Sequence, residues 1–275
     1  FGVPSEVSEY LCSSNIPRKL SFTGSVPVGK HLQKLAAENM IRCTMELGGH
    51  SPLMVFNDTD IEKAAQISVA GKFRNAGQVC VSPTRFLVQD DIKDKFTQAV
   101  IEETNKIKVG NGLEDDTNMG PLIAERRIDV MNDFVKDAID NGANIEMGGN
   151  RMNRVGSFFS PTVMTGVDDS SKIMNEEPFG PLLPIDTFKS VDEVIDRANR
   201  LDFGLASYAF TNDPKIVDNL RSEIQAGLLA VNSTVVSTPE TPFGGIKHSG
   251  YGSEGGVEGL EAFLVTRFVS ETYNI

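Results

Sequence analysis

Hydrophobic positions along this chain switch repeatedly between a strand-like and a helix-like period. Residues 19–23 alternate as a short strand, and the apolar side chains that follow, from Val28 to Ala36, recur at helical spacing. The predicted strands are residues 19–23, 41–47, 85–89, 161–167, 206–211 and 227–231; the predicted helices begin near Val28 and Asp60 and cover residues 92–107, 123–140, 190–200 and 214–225. Strands that alternate with helices predict an α/β fold with a largely parallel, doubly wound sheet.

The regular pattern ends in a segment rich in Gly and Pro, residues 238–256. A last β-like run, residues 262–270, follows this segment. Because it comes after the break, we expect this strand to pair outside its own core.

Composition narrows the classes of partner. The 275 residues are 40% hydrophobic and 23% charged, which is enough for one large or two modest globular domains. A net charge of -12 disfavours binding to nucleic acid or to an anionic membrane, because both would repel the chain at long range. No apolar run reaches the roughly 18–20 residues that cross a bilayer. These features, with no apparent leader, predict a cytoplasmic protein.

The cysteines and histidines do not form a recognisable metal or disulfide pattern. Three of each occur at wide spacing: Cys12, Cys43, Cys80, His31, His50 and His248. An odd number of cysteines indicates free thiols in a reducing compartment rather than a disulfide framework. None of the usual metal-ligand spacings appears, so no metal site is predicted.

Two polar residues stand where chemistry could occur. Cys80 lies in a loop, NAGQVCVSPTRF, and a lone loop cysteine is a candidate nucleophile, although an inert cysteine under the loop is an open alternative. Glu46 ends a strand before two glycines, where a partly buried carboxylate could serve as a general base. The alternative for Glu46 is a salt-bridged or solvated strand end. Gly24-Ser25 opens a helix and is a weak phosphate signal, since it has only one glycine.

Five motifs occur in one order along the chain: FTGS, ELGGHSP, NAGQVC, EEPFGP and PFGGIKHSGYGSEGG. Glu46 and Cys80 are 34 residues apart. In order and spacing these motifs resemble the aldehyde dehydrogenase superfamily, and most closely its succinate-semialdehyde dehydrogenase-like members. The resemblance covers essentially the whole chain.

This resemblance implies a covalent mechanism that uses NAD or NADP. Cys80 would attack an aldehyde to give a thiohemiacetal, hydride transfer would leave a thioester, and Glu46 would activate the water that hydrolyses it to a carboxylic acid. The resemblance also implies the following cofactor-binding residues: Gly24, Ser25, Leu47, Gly48, Glu177 and Phe179. It places four further residues at the substrate: Arg74, Asn232, Ser237 and Phe243.

Arg74 and Ser237 carry the expectation about substrate. Arg74 lies six residues before Cys80, where succinate-semialdehyde dehydrogenases look similar and use an arginine with a late-loop serine to bind a carboxylate. Arginine suits that role because its fork donates two charge-assisted hydrogen bonds. The alternative is that Arg74 caps the preceding helix. Ser82 stands where many of those enzymes have a second cysteine, so a redox lock within this loop is not possible.

The resemblance also implies a division of the chain. Residues 1–48 would complete a Rossmann-like cofactor domain, residues 49–250 would form the catalytic domain, and residues 251–275 would return and supply an oligomerisation strand. A homodimer or homotetramer is therefore expected. The family's oxyanion asparagine and adenine-ribose lysine would lie upstream of Phe1, so we expect a C-terminal fragment, with a companion N-terminal portion and weak turnover alone. A non-catalytic oligomer-forming protein and a thiol-dependent acyl transferase are the alternatives.

Overall fold

The computed structural model describes residues 1–273, and its regular elements alternate as the hydrophobic pattern predicts. The helices are α1 (Pro4–Cys12), α2 (Val26–Glu38), α3 (Ile61–Phe73), α4 (Lys93–Thr104), α5 (Arg126–Asp140), α6 (Val191–Asn199), α7 (Pro214–Glu223) and α8 (Gly256–Glu261). The strands are β1 (Lys19–Thr23), β2 (Arg42–Glu46), β3 (Ser51–Val55), β4 (Pro83–Gln89), β5 (Asn144–Met147), β6 (Thr162–Thr165), β7 (Leu182–Phe188), β8 (Phe203–Gly204), β9 (Ala206–Phe210), β10 (Leu228–Val231), β11 (Ile246–Lys247) and β12 (Gly250–Tyr251).

A seven-stranded sheet forms the centre of the molecule, in the order β10-β9-β3-β4-β7-β6-β5. Its neighbouring strands are parallel except at one edge, where β5 pairs antiparallel with β6. Strands β3 and β9 are buried along their whole length, as strands covered on both faces must be. Among the helices, α3 packs against α4 and α6 against α7. The predicted α/β fold with a parallel sheet is confirmed.

A second, smaller sheet joins the two ends of the chain. In this sheet β1 pairs parallel with β2, and β12 pairs antiparallel with the other edge of β2. It has its own small core, in which Leu32 of α2 packs with Met45 and Leu47. Strand β12 returns to β2 at the predicted boundary after residue 250. The two domain boundaries, after residues 48 and 250, stay predictions.

The helix ends follow local chemistry. The Asp60 side chain accepts a 3.0 Å hydrogen bond from the Lys63 N–H and so caps the start of α3. Ser190 caps α6 in the same way, through the N–H of Glu193. Asn141 ends α5, as predicted, and Gly142 beyond it has a φ of 93°. These caps explain why the predicted bounds of the middle helices lie within a few residues of the observed ones.

The strand predicted at residues 262–270 stays a prediction, because the partner expected for it lies outside this chain. The chain leaves α8 and continues without regular structure through residue 273. A β-strand is defined by its partner, and this segment has no strand partner in the described part of the chain. Its apolar side chains are exposed, with Phe268 at 89% and Val265 at 84% of full exposure. The last two residues of the predicted return segment, 274 and 275, lie outside the described residues.

Within residues 1–273, the helices fall short of the length and apolar character that crossing a membrane demands.

Candidate active site

The loop that carries Cys80 is held in a strained backbone conformation. Three consecutive residues after α3 have left-handed φ angles: Asn75 at 51°, Ala76 at 54° and Gly77 at 71°. Only glycine adopts this region without cost, and a residue such as Ala76 pays about 1–3 kcal/mol there. The three residues turn the chain sharply, so that Cys80 stands just before the amino end of β4.

Hydrogen bonds from several elements hold this loop in place. The Gln78 amide donates to the Asn75 carbonyl at 3.1 Å and accepts from the Ile123 N–H at 2.9 Å. The buried Tyr208 of β9 donates its hydroxyl to the Val81 carbonyl at 2.5 Å. The contacts of Gln78 and Tyr208 therefore fix both sides of Cys80. Neither residue is predicted as a site residue, although Gln78 lies within the NAGQVC motif.

Cys80 opens onto a cleft of about 760 Å³ between the two sheets. The cleft is lined by Thr23, Gly24, Ser25, Leu47, Gly48, Asn75, Gln78, Val79, Cys80, Ile123, Arg126, Arg127, Glu177 and Phe179. All six residues predicted to bind the cofactor are in this set. The structure thus brings together the ends of β1 and β2, the Cys80 loop and the EEPFGP segment, which are far apart in sequence.

The Cys80 thiol lies in an environment that resists ionisation. Burial raises its pKa, and the charges of Glu177 and Glu46 raise it further. Hydrogen bonds from the backbone N–H groups of Val81 and Cys80 itself act in the opposite direction and stabilise the thiolate. A negative oxygen that forms on a carbon bound to Cys80 would meet the same donors.

Glu46 is the last residue of β2 and is 3% exposed. Neither carboxylate oxygen has a hydrogen-bond partner among the described residues. Burial raises the pKa of Glu46 to about 8, and the charge of Glu254 adds to this rise. A carboxyl group that is half ionised near pH 8 suits general-base chemistry, because it can take a proton from water and release it again.

Glu177 is anchored at the floor of the cleft. Its Oε1 accepts a 3.1 Å hydrogen bond from the Gly49 N–H. A Cβ on Gly48 would stand 2.7 Å from Oε2, so glycine at this position leaves room for the carboxylate. Burial raises the pKa of Glu177 to about 7, while the Gly49 N–H, Lys72 and Arg127 lower it.

Two cations near Glu177 are absent from the predicted site. Arg127 of α5 donates to the carbonyl oxygens of Pro178 and Phe179 and so holds the backbone after Glu177. Lys72 of α3 is fully buried, and burial lowers its pKa to about 7. The sequence gives no signal for either, since one charged residue on a helix normally lies on the solvated face.

A second cavity, of about 220 Å³, borders the residues that follow Cys80, from Val81 to Pro83. Arg74 and Ser237, predicted to bind the substrate, both line it together with Gly71, Val81 and Thr234. Arg74 occupies the C-cap position of α3, but its guanidinium donates no hydrogen bond to any residue between 1 and 273. Arg74 is exposed, and both the binding role and the capping alternative stay predictions.

Asn232 and Phe243, also predicted at the substrate, line neither cavity. Asn232 has a left-handed φ of 56°, and its side-chain amide both accepts from and donates to the backbone of Thr211, at 3.0 and 2.8 Å. It therefore serves to join the ends of β9 and β10. Phe243 exchanges two 2.7 Å backbone hydrogen bonds with Glu254. The substrate role of both residues stays a prediction.

The three cysteines are free thiols; Cys12 is buried, whereas Cys43 and Cys80 are half-buried. Residues 1–273 contain no cluster of three or more His, Cys, Asp and Glu side chains that could hold a metal ion.

Comparison with known proteins places these observations in a family. The family model described as "Aldehyde dehydrogenase family" matches residues 1–269. The 4-(hydroxymethyl)benzenesulfonate dehydrogenase TsaD1 of Comamonas testosteroni is 44% identical over 269 residues, which are 98% of this chain and 56% of that protein. The NADP-linked succinate-semialdehyde dehydrogenase GabD of Escherichia coli is 38% identical over 268 residues, with the same shares of the two chains.

Among solved structures, an aldehyde dehydrogenase from Brucella melitensis biovar abortus superposes with a TM-score of 0.97 at 37% identity, covering 100% of this chain and 56% of that one. The chain thus spans about half the length of the relatives that it matches.

Proposed function

This chain belongs to the aldehyde dehydrogenase family, and from that premise we propose that the complete protein oxidises an anionic aldehyde to a carboxylic acid with NAD or NADP. The observation that carries the proposal is the joint position of Cys80 and Glu177 on one cleft. Glu46 is not among the residues that line this cleft, but the charge of its carboxylate, which has no hydrogen-bond partner within residues 1–273, raises the pKa of the Cys80 thiol. A nucleophile, a base and a cofactor-binding carboxylate are the groups that this reaction needs.

The residues around the cleft fit a dinucleotide. Ser25 stands at the N-cap of the 13-residue helix α2, but its hydroxyl makes no capping hydrogen bond. The hydroxyl and the first N–H groups of α2 are therefore available to a phosphate. Leu47 and Phe179 offer apolar surface to a flat ring, and Glu177 offers oxygens to sugar hydroxyls. When bound, the oxidised nicotinamide supplies an acceptor for hydride.

In the proposed reaction Cys80 carries the substrate. The ionised sulfur of Cys80, whose charge the backbone N–H groups of Cys80 and Val81 stabilise, bonds to the aldehyde carbon and leaves a negative oxygen on it. Oxidation of this tetrahedral adduct leaves a thioester on Cys80. Glu46 then takes a proton from water while the water oxygen bonds to the acyl carbon and the carbon–sulfur bond breaks. The raised pKa of Glu46, about 8, makes its ionised form a stronger base than an ordinary carboxylate.

The Arg74 cavity supports an anionic group at the far end of the substrate. Arg74 and the Ser237 hydroxyl line one small space beside the Cys80 loop. Carboxylate and sulfonate oxygens both accept from a guanidinium, so a carboxylate-bearing semialdehyde such as succinate semialdehyde is the first candidate and a sulfonate-bearing aldehyde the second. The relative TsaD1 is named a 4-(hydroxymethyl)benzenesulfonate dehydrogenase. This name favours testing a sulfonate-bearing aldehyde beside a carboxylate-bearing one.

Assembly of identical subunits is part of the proposal. Residues 264–270 have no regular structure and no strand partner within residues 1–273, and several of their apolar side chains are exposed. A second copy of the chain would supply the sheet edge that this segment lacks, which favours a homodimer or homotetramer.

The test is reduction of NAD and NADP by the complete protein, after its intact mass has been measured. Succinate semialdehyde, 4-formylbenzenesulfonate and butanal serve as carboxylate, sulfonate and neutral substrates. We expect turnover with an anionic aldehyde that is lost in Cys80→Ser and kept in Cys43→Ser, which changes a thiol outside the cleft. Turnover that survives in Cys80→Ser would overturn the proposal. Acyl transfer without cofactor reduction would favour a thiol-dependent acyl transferase instead.

A further inference from the structure

Ser249 is a fully buried serine in the segment rich in Gly and Pro that returns to β2. Its Oγ accepts a 3.0 Å hydrogen bond from the Gly204 N–H and lies 2.7 Å from the Gly48 carbonyl oxygen. Because a hydroxyl has one hydrogen and the Gly204 N–H is itself a donor, that hydrogen is donated to Gly48. The Ser249 carbonyl also accepts from the Leu47 N–H at 3.0 Å. One serine therefore holds the backbone after β2 at two points.

The Gly48 carbonyl belongs to the same peptide group as the Gly49 N–H. This N–H donates to Oε1 of Glu177 at 3.1 Å, so one peptide group accepts from Ser249 and donates to Glu177. A trans peptide group is planar, so fixing the direction of its carbonyl also fixes the direction of its N–H. Hydrogen bonds in such a chain polarise and strengthen each other. The Ser249 hydroxyl is thereby linked to a carboxylate that lines the cleft.

The two glycines make this link necessary. A Cβ on Gly48 would stand 2.7 Å from Oε2 of Glu177, and a Cβ on Gly49 would stand 2.6 Å from the Cys80 carbonyl oxygen. Neither position therefore has room for a side chain. A peptide group between two glycines has few steric limits on its rotation, because no Cβ restricts the backbone on either side. The orientation of this peptide group thus depends on its hydrogen bonds.

We propose that Ser249 is a positioning residue, which acts through the Gly48–Gly49 peptide group to hold the Glu177 carboxylate in place at the floor of the cleft. The inference rests on the proposed function for what that carboxylate does, which is to accept hydrogen bonds from the cofactor's sugar hydroxyls. Ser249 is not among the residues that line the cleft, so its effect on the cofactor passes through Glu177. Without the hydroxyl, the peptide group can rotate, and the Glu177 side chain loses its one hydrogen bond within residues 1–273.

The peptide group can be observed directly by NMR in this chain. Glycine that carries ¹³C at the carbonyl and ¹⁵N at the amide gives a carbonyl-to-amide correlation only where two glycines are adjacent. Among 25 glycines there are four such pairs, which begin at Gly48, Gly148, Gly244 and Gly255. Sequential assignment from Leu47 identifies the Gly48–Gly49 signal. Its carbonyl reports the bond from Ser249, and its N–H reports the bond to Glu177.

Other charged groups near Glu177 set the background of a pH titration. Lys72 and Arg127 lower the pKa of Glu177, and the charge of Glu177 acts in turn on the Cys80 thiol. Because the pKa values of Glu177 and Lys72 are both about 7, a midpoint near this pH does not identify the group that titrates. Glu177→Gln identifies it, since glutamine keeps an acceptor oxygen for the Gly49 N–H but does not ionise.

The decisive variant is Ser249→Ala. In wild type, we expect the Gly49 N–H signal to shift with pH around a midpoint near 7, and this shift to be absent in Glu177→Gln. In Ser249→Ala the same shift should be lost, and the Gly48 carbonyl signal should move upfield. Ser68→Ala is the matched control, because Ser68 is equally buried and its hydroxyl has no hydrogen-bond partner within residues 1–273. A Gly49 titration in Ser249→Ala equal to that in wild type would overturn the inference.

Ser249→Cys covers the case in which Ser249→Ala does not fold. Its thiol is similar in size and a weak donor, so the Gly49 titration should be smaller than in wild type. Carbonyl and N–H signals that both match wild type would overturn the inference.

Cofactor binding by the complete protein tests the consequence. Ser249→Ala should raise the Kd for NAD or NADP about 10-fold, the effect of losing a hydrogen bond to a charged group, while Ser68→Ala should not. An unchanged Kd in Ser249→Ala would overturn the role assigned to Ser249. The NMR titrations are made without substrate or cofactor, so a complete protein that binds neither cofactor would refute the proposed function and leave the NMR result to decide the link between Ser249 and Glu177.

Discussion

Gly49 packs directly against the backbone of Cys80, since a Cβ on Gly49 would stand 2.6 Å from the Cys80 carbonyl oxygen. The same glycine donates its N–H to Glu177 at 3.1 Å. Gly49, three residues after the end of β2 at Glu46, therefore contacts both the Cys80 loop and the Glu177 carboxylate. This contact explains why two glycines follow Glu46, because any side chain at Gly49 would push the Cys80 loop away.

The first prediction concerns the reactivity of Cys80 in this chain without cofactor. Burial and two carboxylates raise the pKa of Cys80. The rate of its alkylation by iodoacetamide should therefore increase with pH, and the midpoint of this pH profile should lie above the usual thiol pKa of about 8.5. Glu177→Gln removes one negative charge and should lower this midpoint. The measurement is the rate of Cys80 modification by mass spectrometry, with the buried Cys12 as an internal reference. An unchanged midpoint in Glu177→Gln, as in the exposed control Glu62→Gln, would count against the assigned environment.

The second prediction concerns Glu46 and stability. Its pKa is raised above the unfolded value, so its contribution to stability is full below about pH 4.5 and is lost as the pH rises through about 8. Glu46→Gln remains neutral, and at pH 9 it should be more stable than wild type by roughly 2–4 kcal/mol. Urea unfolding at pH 5 and pH 9 measures the difference, with Glu62→Gln as the control. A difference of zero at both pH values would mean that Glu46 ionises freely.

The same variant separates the two chemical steps. In the complete protein, Glu46→Gln should still form the thioester on Cys80 but hydrolyse it slowly, because no base takes the proton from water. Mass spectrometry of the quenched enzyme should show the acyl adduct accumulating. Steady turnover at the wild-type rate would remove Glu46 from the mechanism.

The third prediction concerns Arg74. In the complete protein, Arg74→Ala should raise the KM for an anionic aldehyde by about 10- to 100-fold, the range expected for losing charge-assisted hydrogen bonds. The KM for butanal should stay within a factor of about two, because a neutral tail does not use the guanidinium. Ser237→Ala should act in the same direction with a smaller effect. Equal increases in KM for anionic and neutral aldehydes would point to a change in the Cys80 loop instead.

The fourth prediction concerns Gly77. Gly77→Ala should lower the free energy of unfolding by at least about 1–3 kcal/mol, because φ is 71° and the new methyl group would overlap the Gly180 carbonyl. Thermal melting measures the loss. Gly112→Ala, at an exposed glycine with no atom near its Cβ position, is the matched control and should leave the melting temperature nearly unchanged. Equal melting temperatures for the two variants would contradict the described loop backbone.

Much of the fold could be predicted from periodicity, and the failures have physical causes. Strands β3 and β7 are not predicted, because β3 is buried throughout and β7 is buried except at Asp186 and Thr187, so neither strand shows a regular alternation. Helix α1 begins within three residues of the chain start, where a short amphipathic pattern is weak. The strand expected at residues 262–270 has β-like side chains but depends on a partner that one chain does not contain.

The residues of the candidate site could likewise be predicted only in part. Cys80, Glu46 and the cofactor residues lie in motifs that local chemistry and resemblance single out. Lys72 could not be found in this way, because only the folded structure reveals that its position on α3 is buried. The hydrogen bonds between the Asn232 amide and the backbone of Thr211 could not be predicted either, because these residues are 21 positions apart in sequence.

The smaller sheet combines strands that are far apart in sequence, since β12 pairs with β2. β2, which carries Glu46, receives its third strand only from β12, and the Ser249 hydroxyl bonds the Gly48 carbonyl across 201 sequence positions. Closing so long a loop is slow compared with pairing strands joined by one helix, so this contact forms late in folding. During synthesis, the strands that frame the Cys80 loop can pair while β12 is still unmade. A newborn chain therefore acquires the strands that frame Cys80 before it acquires the strand that pairs with the end of β2 at Glu46.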